Sequence, residues 1–65
     1  MKNMRIRRCR EALGLTRGQL AGAARIDVTT LWRIEEQGRT PRLLTLLAIE
    51  RALSRAEKQR ARKRV

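Results

Sequence analysis

The sequence predicts an all-α fold, a compact domain of four to five helices, and three observations predict it. Apolar residues recur three or four positions apart, as in Leu20, Ala21 and Ala24 and again in Leu31 and Ile34, which gathers them on one side of a helix. Helix-start signals separate these stretches at Thr16 with Gln19, at Asp27, at Thr40 with Pro41 and at Ser54 with Glu57, and Gly14 supplies a stop. The chain has 65 residues, enough for one small domain that buries a modest fraction of its surface. Residues 1–53 are expected to form the domain, and residues 54–65 a basic C-terminal tail or a short fifth helix.

Met1 to Asn3 reads as a polar arm. The first helix, Met4 to Leu13, places Ile6, Cys9 and Leu13 inward and Arg5, Arg7 and Arg8 mostly outward. Cys9 then reads as a small core residue, with a reactive or dimer-bridging thiol as the sharper alternative. Arg10 is open between a solvated cation and one half of an ion pair.

The centre of the chain, Thr16 to Glu36, reads as two short helices joined by a tight turn. Thr16 and Gln19 form a capping box that starts the first of them. Small residues from Ala21 to Ala24 allow a second helix to approach closely, and Asp27 is the N-cap of that second helix, its charge suiting the positive end of the dipole. Leu31 and Ile34 point inward; at 100° per residue the opposite side carries Thr29, Trp32, Arg33 and Glu36, with Val28 on its flank. Two such helices make a helix-turn-helix. Trp32 has two readings: a contact to a bound partner, or a half-buried wedge against the loop from Gln37 to Thr40.

Thr40 as cap and Pro41 at the first helical position start the fourth helix, with Leu43, Leu46, Leu47, Ile49 and Leu53 expected inward. Leu44 and Ala48 are surplus apolar surface, a candidate dimer contact. From Ser54 the chain reads SRAEKQRARKRV, six basic residues and one acid, either a short capped helix or a frayed, solvated tail.

Together these residues resemble the phage repressor and Cro family of DNA-binding domains, over about Arg5 to Leu53. The resemblance rests on Arg10, on GLT at Gly14 to Thr16, on Leu20-Ala21, on RIE at Arg33 to Glu35, and on P-x-L-x-T-L-x-x-I-x-x-A-L from Pro41 to Leu53. It implies a lambda-repressor-like helix-turn-helix fold, a buried or half-buried ion pair between Arg10 and Glu35, and a DNA backbone beside Arg17, Arg39 and Arg42. The sequence departs from the family at Arg25, where glycine is usual, at Gly38, one place later than usual, and at Glu50, where a small residue is common.

Composition points the same way. Seventeen basic and six acidic residues give a formal charge of +11, which marks a polyanionic partner. One cysteine and no histidine exclude an internal disulfide, argue against a metal site, and leave no catalytic constellation, so neither enzyme activity nor a cofactor is expected. The longest apolar run, Leu43 to Ile49, is too short for a bilayer, and a cytoplasmic location is expected.

The expected partner is double-stranded DNA. Arg17, at the start of a helix, and Arg39 and Arg42 are the candidate phosphate contacts. Val28, Thr29 and Arg33, with Trp32 and Asp27 beside them, are the candidate base readers: Arg33 suits guanine, and Val28 and the Thr29 methyl suit thymine methyls. The leading expectation is a sequence-specific regulator, a repressor, bound as a homodimer to a two-fold symmetric operator. Two alternatives stand beside it: an antitoxin-like or adaptor module with a protein partner, and a nonspecific basic nucleic-acid-binding protein.

Overall fold

Each helix begins or ends where its unpaired backbone groups find local partners. The computed structural model describes residues 4–62 and orders them as α1 (Met4–Ala12), α2 (Arg17–Ala24), α3 (Val28–Gln37) and α4 (Leu43–Arg62). The arm expected at Met1 to Asn3 and the last three residues of the basic segment lie outside this range. At the head of α2 the Gln19 N–H donates to the Thr16 hydroxyl at 3.1 Å, and the Thr16 N–H donates to Gln19 Oε1 at 2.9 Å, the reciprocal bonds of a capping box. At the head of α3 the Thr29 N–H donates to Asp27 Oδ1 at 2.7 Å.

Gly14 closes α1 at φ +70°, with the Leu15 N–H reaching back to the Arg10 carbonyl at 3.1 Å and the Gly14 N–H to Glu11 at 3.0 Å. α2 closes with the same bond pattern, Ile26 N–H to Ala21 at 2.9 Å and Arg25 N–H to Gly22 at 3.2 Å. Here, however, the left-handed residue is Arg25, at φ 57° and ψ 44°. A side chain at that angle crowds its own backbone, which glycine avoids. Arg25→Gly is therefore expected to stabilise the domain by about 0.5–1 kcal/mol, the relief of strain exceeding the extra freedom given to the unfolded chain. A raised urea midpoint at constant m-value checks this; an unchanged or lowered midpoint contradicts it.

The core draws on all four helices: Ile6 from α1, Leu20, Ala21 and Ala24 from α2, Leu31 and Ile34 from α3, and Ile49, Ala52 and Leu53 from α4. Cys9, Leu13, Ile26, Leu46 and Ala48 pack around it, partly buried. The small residues of α2 let α3 and α4 close on it, so α2 is the hub of the fold. Among the described residues, no buried side-chain nitrogen or oxygen lacks a partner.

α4 departs from expectation at both ends. Its first intrahelical bond runs from the Leu46 N–H to the Arg42 carbonyl at 2.9 Å, so Thr40 and Pro41 precede the helix instead of opening it. Leu43 and Leu47, expected inward, are 70% and 40% exposed. The reason is angular: the buried line is Ile49, Ala52 and Leu53, and Leu47 lies about 160° around the helix from Ile49. The apolar stripe of the sequence is wider than the face that α1 and α2 can cover.

At the other end, the boundary expected at Ser54 is no boundary of secondary structure, because α4 continues unbroken to Arg62. Ala52, Leu53 and the half-buried Ala56 carry the inward face across Ser54. The Arg55 guanidinium donates to the Ala23 carbonyl at 3.3 Å, and Arg60 donates to the Ala12 carbonyl, tying the extension to the ends of α2 and α1. Cations in the last turn also suit the negative end of the helix dipole. Glu50, unusual for the family, accepts a hydrogen bond from Arg5 and so joins α4 to α1.

Candidate nucleic-acid interface

With Leu31 and Ile34 anchored in the core, α3 turns Val28, Thr29, Trp32 and Arg33 outward. Val28 is 46% and Trp32 41% exposed, which leaves both available to a partner on this side of α3. Two shallow hollows flank this ridge. Arg17, Val28, Thr29 and Trp32 line one, where the heads of α2 and α3 meet. Thr30, Arg33, Arg39, Thr40, Arg42 and Thr45 line much of the other, between α3 and the head of α4. Trp32 thus faces the α2 side, whereas Arg33 shares its hollow with Arg39 and Arg42. Asp27 holds one carboxylate oxygen on the Thr29 N–H, so its first task is the cap.

Behind the ridge lies an ion-pair network that fixes its position. Arg10, buried, donates from Nε to Glu35 Oε2 at 2.9 Å and from Nη2 to Glu35 Oε1 at 3.0 Å, while Nη1 donates to the Leu15 carbonyl at 2.9 Å. This forked geometry uses the planar guanidinium fully. Glu35 is wholly buried. Arg17 adds a second cation, donating from Nε to Glu35 Oε1 at 3.0 Å and from Nη2 to Glu36 Oε2 at 2.8 Å. Arg7 reaches Glu36 Oε2 at 3.3 Å and Glu11 Oε1 at 3.1 Å. The end of α3 is thereby tied to α1 and to the first residue of α2.

Arg17 is consequently not a freely solvated cation. Its hydrogen bond to Glu35, aided by the charges of Glu35 and Glu36, raises its pKa above the ordinary arginine value. A raised basic pKa contributes stability that is complete below the unfolded-state value and is lost only as pH rises through the higher folded value. Arg17 also lines a hollow with Val28, Thr29 and Trp32.

Sequence reasoning did not find Arg17, Glu36 and Arg7 as members of this network. Only the spacing of Arg7 and Glu11, four apart on one helix, carried a local signal. Glu36 was expected on the outward face; it is half-buried, turned toward Arg17 and Arg7.

A helix-turn-helix family model matches residues 6–57, most of the chain and the whole of this site. The chain belongs to the Cro/C1-type helix-turn-helix family. Helix-turn-helix proteins of this type bind DNA and regulate transcription, and the four-helix, strand-free architecture of the described residues is that of the family. The match crosses Ser54, as α4 does. No curated protein and no solved structure matches the chain. Among the described residues, no helix is long and apolar enough to cross a membrane.

Cations that contact phosphates add affinity without sequence preference, the behaviour expected of Arg39 and Arg42. Arg42→Ala is expected to weaken binding to all duplexes alike and to reduce the slope of log affinity against log salt by about 0.9, one counterion-releasing contact. Titrations at four salt concentrations check this; a loss confined to particular sequences would assign Arg42 to base reading.

Proposed function

We propose that the protein is a sequence-specific transcriptional repressor that binds a two-fold symmetric operator as a homodimer, with α3 in the major groove. Support comes chiefly from the ridge itself: Val28, Thr29 and Arg33 project from an anchored helix whose flanks carry Arg17 on one side and Arg39 and Arg42 on the other. Such an arrangement separates the two tasks that recognition requires. Arg33 offers a guanidinium fork to guanine O6 and N7, and Val28 and the Thr29 methyl offer apolar contact to thymine. Trp32 and Asp27 stand at the edge of the reading set, and Arg17, Arg39 and Arg42 position the backbone.

The dimer contact in this reading is the outer side of the head of α4. Leu43 and Leu44 are 70% and 81% exposed, Leu47 lies beside them, and Ala48 lies deeper on the same helix. Adjacent exposed leucines of this kind suit a contact that covers them. The same leucines favour a second reading, a protein-interaction module whose partner is a different chain.

Binding-site selection from random duplexes tests both. The dimeric reader requires an inverted repeat with half-sites about 10 base pairs apart, centre to centre, and insertion of half a helical turn between them should abolish tight binding. Selection that returns no repeat would promote the protein-interaction reading.

A further inference from the structure

The outer side of α4 changes character along its length. Arg51, Arg55, Lys58 and Arg62, all exposed, stand at positions i, i+4, i+7 and i+11, which aligns them in one stripe about 16 Å long. The acids of the same helix lie elsewhere: Glu50 and Glu57 fall roughly 100° or more around from the stripe, and Glu50 is occupied by Arg5. The stripe belongs to a docked helix, whose Ala52 and Leu53 are buried in the core and whose Arg55 and Arg60 donate to the carbonyls of Ala23 and Ala12. It also lies apart from the reading ridge. Arg42, at the head of α4, borders that ridge, whereas the stripe begins at Arg51, about 13 Å further along the helix, and ends at Arg62, about 30 Å along, in a molecule whose longest extent is 38 Å.

We infer that this stripe is a second polyanion-binding surface, which takes the phosphate backbone of a second DNA duplex, so that the protein bridges two duplex segments. Among the described residues no acid lies between the four cations on this side of the helix, the Ala23 carbonyl that Arg55 reaches carries no charge, and duplex DNA presents about one phosphate charge per 1.7 Å of axis. Single-stranded nucleic acid fits less well: its binders supply aromatic stacking platforms, and the one aromatic side chain of this protein, Trp32, stands on the reading ridge. The stripe has neither the apolar nor the hydroxyl groups that stand beside Arg33 on α3, so the second duplex is held chiefly through its phosphates. The inference rests on the reading ridge taking the first duplex.

The test uses two mixed-sequence 20-base-pair duplexes, one immobilised on beads and one fluorescent in solution, with the full-length protein added at low salt. Wild-type protein should retain the fluorescent duplex on the beads, with a log-log salt slope for this second event of up to about −3.6, four contacts at −0.9 each. The variant Arg51→Gln, Arg55→Gln, Lys58→Gln, Arg62→Gln should lower retention at least about tenfold, by loss of most of those contacts, while changing affinity for a single duplex in solution less than about threefold. Lys58→Glu with Arg62→Glu, which touches neither backbone tether, should show the same split if the first variant fails to fold. Equal loss of both readouts would overturn the inference by placing the stripe on the first duplex. Retention that ignores both variants would assign bridging to the two reading heads of a dimer, and preferential capture of single-stranded RNA would assign the stripe to that ligand. Failure of the regulator reading is separable, since it would appear as single-duplex binding without sequence preference while retention still depended on the stripe.

Discussion

Glu35→Ala should destabilise the domain by about 3–5 kcal/mol, because it strips the forked partner from a buried guanidinium. Arg10 is 8% exposed and Glu35 wholly buried, so neither can be re-solvated in place. For 65 residues, at about 0.05–0.15 kcal/mol per residue, the total stability is about 3–10 kcal/mol. The loss therefore equals or exceeds the whole stability at the lower limit, and a substantial unfolded fraction is expected there at 25 °C. Arg10→Ala should cost less than Glu35→Ala, because Glu35 keeps Arg17 at 3.0 Å. In denaturant melts of the two single variants and the double variant, the double should be milder than the sum by more than about 1 kcal/mol. Strict additivity would mean that the pair is not coupled, and the account of how α1 holds the end of α3 would fail.

This network also marks the limit of what the sequence reveals. Features written in neighbouring residues were legible: the Thr16 and Gln19 capping box, the Asp27 cap, the Gly14 stop, and the 100° arithmetic that put Leu31 and Ile34 inside and Val28, Thr29, Trp32 and Arg33 outside. What depends on how far one helix covers another was not. Leu43 and Leu47 satisfy the apolar period yet remain exposed, because periodicity gives a face but not the width of its neighbour. Ser54 and Glu57 carry the same capping signal as Thr16 and Gln19, yet α4 runs through them; the buried Ala52 and Leu53 before them and the tethers at Arg55 and Arg60 outweigh a local start signal. Arg17 shows the same limit within the site, since nothing local to the head of α2 announces carboxylates from the end of α3.

Arg33→Ala should cost about 1–3 kcal/mol of binding free energy per half-site, and so about 2–6 kcal/mol for a dimer on a symmetric site. The residue is exposed on α3 and shares its hollow with Arg39 and Arg42, but its expected task differs from theirs. Arg39 and Arg42 should matter equally on every duplex, whereas Arg33 should matter only where a guanine edge faces it. The salt slope should therefore stay nearly unchanged in Arg33→Ala while the affinity for the selected site falls. Fold stability should be unaffected, because no buried contact of the core involves this side chain.

Whether α3 reads base edges is decided by comparing wild type and Arg33→Ala on every single-base substitution of the selected site. The wild type should discriminate at several positions in each half-site, and the variant should lose discrimination at one symmetric pair of positions only. Uniform weakening on all sequences, with the pattern of preference intact, would contradict base reading by α3.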